Sequence, residues 1–524
     1  MTTVESFQAV AALGAAAGVA ALCVPGLRGR PATARHAGAL TVTVCAWLML
    51  LGSLVSRADL TSLRNRLDTP TRAAAAAVAV AVVVAVSLLL VRLVIRRPGI
   101  WFVMLALAIP IRVPLSLGGD RSGNLLIPLY WVIGIGLIAY VWGAARGRLP
   151  GARERSTPLD IPIAAFTAFA LASTLWSGDV HEATVKAVFF YVPFVLVFRL
   201  VVHWWPLVEN PVPALGHTTL AVAVVAAAIA VGQFATRTIW WNDTLEQGNV
   251  YNRFFRANGI FYDPNILGRY LVVALTIAAV YAWVARRGAH LAILAAVGAV
   301  LAAGLVVTFS RSSALALMVA MAMIAWRAFG WRRTLLVGAG ALVLIGVPAV
   351  ATNTHVRDKV TSIDKLAGSG EGRFRLVRGG VDLWKSEPVL GVGLGAFSER
   401  YRESLPRRQQ LRTRVVISHT APVTVLAELG AVGFALFLFL CGTAVVTLWR
   451  SARAARPDGW VEWTALTGLA AILVHSLLYS ALFEDPTIWV LAAAGVAAAA
   501  TGMAGEPEAT QTFPTPAPEP APAG

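Results

Sequence analysis

Long, continuous apolar runs set the terms for this chain. A run of about 18 residues or more reads as a helix that crosses a bilayer, and such runs recur near 7–25, 38–55, 73–94, 99–118, 125–144, 160–176, 187–204, 218–236, 265–285, 290–309, 311–326, 334–351, 420–449, 461–482 and 487–504. They do not alternate polar with apolar, which argues against a closed barrel. Only 14% of the 524 residues are charged, where a soluble domain carries roughly a quarter. The expected fold is all-α and polytopic: about twelve core spans, about three N-terminal spans, and a large helical loop on the outer side.

The formal charge of +17 would suggest nucleic acid in a soluble protein. Here the cations sit in short loops, as the positive-inside rule requires, so no nucleic-acid partner is expected. Arg28-Gly29-Arg30, Arg96-Arg97, Arg146 to Arg155, Arg286-Arg287, Arg327 to Arg333 and Arg450 to Arg456 fall on one side, the cytoplasm. The segments 237–264 and 352–419 then share the outer side. The basic loop Ser56 to Arg72 also lands outside, which puts the count of the first three spans in question. Cys23, Cys45 and Cys441 all lie inside apolar runs, so neither a disulfide nor a metal cluster is expected. The tail 505–524, of Pro, Ala, Thr and Glu, cannot bury a core and is expected to be disordered.

Four polar stretches on the outer side carry the chemistry. The first runs Arg253-Phe254-Phe255-Arg256-Ala257-Asn258-Gly259-Ile260-Phe261-Tyr262-Asp263-Pro264-Asn265, with turn signals at Asn258-Gly259 and Asp263-Pro264. Its arginines offer rigid donor forks for phosphate oxygens; an aromatic belt with arginines at lipid headgroups accounts for the same residues. The second is Ser310-Arg311-Ser312, where a guanidinium meets hydrocarbon; a helix-end arginine at headgroups is the plainer account. The third opens at Gly372-Arg373. Phe374, Val377, Val381 and Trp384 give one apolar helical face, Gly379-Gly380 interrupts it and Pro388 ends it. Gly391, Gly393 and Gly395 follow; a structural turn fits them better than a phosphate cradle, since no Gly-Lys-Ser is present. The fourth is His419, at the doorstep of the next span, where an imidazole could take a proton from a sugar hydroxyl or be a satisfied interfacial residue. His181, His203, His217, His355 and His475 have no surrounding pattern and read as structural.

In their order and spacing these stretches resemble the O-antigen ligase and O-antigen polymerase family. The resemblance rests on Arg256-Ala257-Asn258-Gly259 with Asp263-Pro264-Asn265, on Ser310-Arg311-Ser312, on Arg373 through Trp384 with Pro388, Gly391 to Gly395 and Phe397, and on His419-Thr420 followed nine residues later by Gly430-Ala431-Val432-Gly433. Thr420 departs from the family's usual Asn, Gln or Ser. The match covers roughly residues 240–440, within a core of 99–504 whose large loop is 352–419; spans 1–98 have no counterpart in it. The resemblance implies a glycosyltransferase of the plasma membrane. It would move an undecaprenyl-diphosphate-linked glycan onto a hydroxyl of a glycan, lipid or wall-polymer acceptor at the outer face, with no metal and no cofactor. Arg256, Arg311 and Arg373 would meet the diphosphate, Arg375 and Arg378 more weakly, and His419 would act as base or orient the acceptor.

Two other classes compete. A lipid-linked glycan transporter or flippase would place charges at mid-membrane in broken spans. A transferase using a sugar on a lipid monophosphate would want a carboxylate base, for which Asp120, Asp179 and Glu182 are available.

Overall fold

The computed structural model describes residues 3–24, 31–54, 69–116, 122–146, 156–240, 242–251, 254–284, 288–335, 371–410, 418–454 and 459–503. It is an all-α polytopic membrane protein with one small β-hairpin. Among the described residues nine helices are long and apolar enough to cross a membrane, and four shorter apolar helices accompany them. The expected span 334–351 beyond Leu335, the loop portion 352–370 and the tail 505–524 lie outside the described residues.

Three antiparallel helices open the chain: α1 (Thr3–Cys23), α2 (Pro31–Leu54) and α3 (Pro70–Arg96). The count of three therefore stands, with Leu54 and Pro70 at the same end. The expected span 99–118 is not one helix. α4 (Gly99–Ala108) stops before Pro110, and β1 (Val113–Ser116) and β2 (Ser122–Leu125) form an antiparallel hairpin beyond it. Two prolines within five residues remove the N–H groups a helix would need.

Next come α5 (Ile127–Ala145) and α6 (Asp160–Ala172). α7 (Val180–Lys186) runs through a widened turn, Ala187–Tyr191, into α8 (Val192–Trp204), whose second residue is Pro193. α9 (Thr218–Thr236) is followed by the short α10 (Asp243–Tyr251). α11 (Pro264–Val284), α12 (Gly288–Val306) and α13 (Arg311–Phe329) alternate in direction. α14 (Glu371–Ser386), α15 (Phe397–Glu403) and α16 (Arg407–Gln410) belong to the large loop. α17 (Ala421–Ala454), α18 (Trp460–Ser476) and α19 (Pro486–Met503) complete the bundle.

Alternation gives the bundle two unlike ends. The starts of α7, α11, α13, α17 and α19 and the hairpin share one, the loop end. Arg96, Arg97, Arg146, Arg327, Arg332, Arg333, Arg450 and Arg453 lie at the other, the basic end. α2 is tied to the core there by a buried cluster. Asp160 of α6 takes Arg199 Nη1 of α8 at 2.8 Å and Arg35 Nη2 of α2 at 3.5 Å, while Thr157 donates to it from both its backbone N (2.9 Å) and its hydroxyl (2.9 Å).

In α14 the expected apolar face is corrected. Phe374 is exposed, and the helix is not interrupted at Gly379-Gly380. The buried face is Leu376 and Leu383, against Phe397, Tyr401 and Ala427. The two glycines are there because a Cβ on Gly379 would strike the Tyr401 ring and one on Gly380 would meet Val423 and Phe397.

Candidate functional site

At the loop end, local turn chemistry folds residues 254–265 onto the bundle. Gly259 has φ +57°, and its N–H donates to Gln233 Oε1 at 2.8 Å. Asp263 caps α11, its side chain accepting from Asn265 N at 2.6 Å. Arg256 is braced at several points: Nε donates to Thr308 O at 2.9 Å, Nη2 donates to Asn265 Oδ1 at 3.0 Å, and Asn249 brackets its backbone with two bonds of 3.0 Å. Its guanidinium is thus fixed to the turn that starts α13. There Ser310 is the N-cap, accepting from Ser313 N at 3.3 Å, and Arg311 follows, exposed.

Beneath this junction lies a polar layer that the sequence reading did not anticipate. His475 Nε2 sits 3.0 Å from Ser312 Oγ, and His475 is fully buried. Arg269 of α11 pairs with Asp485, donates to Ala481 O at 2.6 Å and lies over the Tyr479 ring. Next to Asp485, Glu484 sits in the loop between α18 and α19. Burial pushes its carboxyl up from the ordinary carboxylate range, against the pull of Lys186 and, more weakly, of Arg112 and Arg269. Lys186 of α7 in turn pairs with Glu428 of α17 at 2.9 Å.

Glu428 lies two residues before a break. Gly430 has φ 63° and ψ −167°, dividing α17 into a short upper and a long lower helix. The glycine-rich segment fills the gap. Val392 N and Gly393 N donate to Ala427 O (3.0 Å) and Glu428 O (2.8 Å), and Pro388 O and Val389 O accept from Ala431 N (2.9 Å) and Val432 N (3.2 Å). On its other side Leu394 N donates to Ser173 Oγ at 3.1 Å. Gly391, Gly393 and Gly395 all have positive φ, and a Cβ on any of them would collide with neighbouring backbone. The segment is a structural seam, and the amides it would need to cradle a phosphate are already spent on these acceptors.

The expected site residues fall into two groups at this end. Arg256 and Arg311 share the α11–α13 junction. His419 and the helix bearing Arg373 lie across the seam, where α14 packs on α17. His419 has φ +62° and stands between Ser418, whose hydroxyl bonds Thr424 Oγ1 at 2.6 Å, and the first turn of α17. Arg375 and Arg378 are on the exposed face of α14, and the Arg373 side chain lies outside the described residues. The network Arg269–Asp485–Glu484–Lys186–Glu428 runs between the groups. Of the rival carboxylates, Asp179 caps α7 by accepting from Glu182 N at 2.9 Å, Glu182 stands one turn before Lys186, and Asp120 lies outside the described residues. Among the described residues no group of three His, Cys, Asp or Glu could hold a metal ion.

An all-helical membrane bundle with fixed and exposed guanidiniums gathered at one end is the class defined so far. Residues 296–438, which include Arg311, Arg373, Arg375, Arg378 and His419, match the family model described as O-antigen ligase, in line with the resemblance read from the sequence. No curated protein matches the chain.

Proposed function

We propose that the protein transfers a glycan from undecaprenyl diphosphate to an acceptor hydroxyl at the outer face of the plasma membrane. The observation that carries this reading is the Arg256 guanidinium, fixed by Thr308 and Asn265 beside the exposed Arg311. A leaving diphosphate gains negative charge in the transition state, and cations held in place beforehand stabilise it with no reorganisation. Arg373 adds a third cation from α14, with Arg375 and Arg378 as weaker contributors. His419 takes the acceptor proton or orients the hydroxyl.

The distribution of charge supports this side of the membrane. The described arginines at the helix ends opposite this site are those a cytoplasmic face retains. An apolar cleft supports a lipid donor. It runs from Thr487 and Tyr270 near the loop end, past Val273 and Ile277, to Tyr281 and Trp460 near the basic end.

A transfer assay in membranes with matched protein levels tests the roles. Arg256→Ala, Arg373→Ala and His419→Ala are each expected to lower the rate by about a hundred-fold, the usual cost of losing one charge-stabilising donor or acid–base group. Near-normal product from any of them removes that residue from the mechanism. Lipid-linked donor that is moved across the membrane but never consumed would replace transfer with transport.

A further inference from the structure

We propose that the basic end carries a binding site for the headgroup of an anionic phospholipid, formed by Arg327 and Arg453 on a cluster of four tryptophans. The ends of α13 and α17 meet there through Trp326 and Trp449, stacked with centroids 5.4 Å apart and planes at 6°. Trp463 lies edge-on to Trp449 at 6.4 Å and to Trp283 at 6.5 Å, bringing in α18 and α11. Arg327 lies over Trp283 (5.1 Å) and Trp463 (5.4 Å), and Arg453 lies over Trp449 (4.5 Å).

A ring occupies the face of a guanidinium and leaves its N–H edge open, and that edge is what a phosphate takes. Both arginines are exposed, and among the described residues neither has a carboxylate partner. The carboxylate of the first turn of α18, Glu462, is buried. Two cations held by one set of rings, with no protein counter-ion described beside them, make a site for an anion.

The neighbouring chain points to a lipid rather than a dissolved ion. Gly330, at φ 81°, turns the backbone, and Phe329, Trp331 and Leu335 are 64%, 59% and 63% exposed on either side of the cations Arg332 and Arg333. Large apolar groups interleaved with arginines belong at the headgroup layer of a bilayer. A soluble phosphate would give them nothing to contact. The inference does not depend on the transfer reaction, because it concerns the opposite end of the bundle.

The test uses the full chain, purified in neutral detergent and titrated with phosphatidylglycerol, phosphatidylcholine or inorganic phosphate. Bound lipid is counted by native mass spectrometry and thermal unfolding is followed alongside. Phosphatidylglycerol is expected to bind and raise Tm. The double substitution Arg327→Gln with Arg453→Gln should weaken that binding roughly ten-fold or more, given about 1 kcal/mol per arginine near an anionic surface. Arg146→Gln, which removes an arginine stacked on Trp142 at the same end and outside the four-tryptophan cluster, should behave as the unaltered protein. If the double variant does not fold, Arg453→Gln alone carries the test, with the smaller loss of one contact. Undiminished phosphatidylglycerol binding by the variant overturns the proposal. So does equal binding of phosphatidylcholine, or an equal Tm rise with inorganic phosphate.

Discussion

Two ionic clusters sit inside this bundle, and they are built on opposite plans. Around Asp160 a single carboxylate, 1% exposed, is saturated by two guanidiniums and two bonds from Thr157. Around Lys186 one ammonium, still 16% exposed, faces Glu428 directly and the charges of Glu182 and Glu484 nearby. The first is closed and has cations in excess; the second is open and has carboxylates in excess. Guanidiniums cannot shed their charge, whereas carboxylates can take up protons. The first arrangement therefore suits a fixed joint between α2, α6 and α8. The second suits a place where charge changes, and it lies between the two groups of candidate site residues.

The largest expected effect tests the closed cluster. Asp160→Asn leaves Arg35 and Arg199 buried without their anion and should cost about 3–5 kcal/mol of stability, with little change between pH 5 and 9. Thermal unfolding across that range measures it, and a cost that varies strongly with pH would erase the contrast.

Next is Lys186→Met, expected to cost about 2 kcal/mol at pH 8 and clearly less at pH 5. The sign follows from Glu484, whose carboxyl burial already holds up. Without the ammonium it rises further, and a raised carboxyl contributes stability that is present below its unfolded value and lost as pH climbs through the folded one. A Lys186→Met cost that is the same at both pH values would make the two clusters alike. The smallest effect is that of Glu484→Gln. It should flatten the fall in Tm expected of the unaltered protein between pH 5 and 8, and an unchanged slope would remove Glu484 from the open cluster.

Much of this was legible in the sequence, because hydropathy reports on lipid burial directly. The helices α5, α6, α8, α9, α11 to α13 and α17 to α19 lie close to the apolar runs, and Ser310 caps α13 just before Arg311. The misreadings share a cause. The run 99–118 is apolar throughout, and its two prolines were outweighed by its hydropathy. In α14 the apolar positions that could be read, Phe374 among them, do not tell which face finds a partner, whereas Gly379 and Gly380 mark where a neighbour comes close. The ionic partners stand far apart along the chain: Lys186 and Glu428 are separated by 242 positions. One signal was nonetheless available. A glutamate within the run 420–449 and a lysine beside the run 187–204 are costly in hydrocarbon, and each invites a search for a partner. His475, inside a run as well, invited the same search and proved to bond Ser312.

The seam at Gly430 bears on how the chain can assemble. At 34 residues α17 would span about 51 Å as a straight rod, well beyond the roughly 30 Å of a bilayer core. Dividing it at Gly430 leaves about 36 Å for the part that follows, and peptide groups around the break that lipid cannot satisfy. Their acceptors and donors are on residues 388–393, synthesised before α17 emerges. The glycine-rich segment must therefore wait at the water boundary until its later partner arrives. A ribosome-bound chain halted just short of Ala421 would have that segment's Ser173 side filled and its α17 side still open.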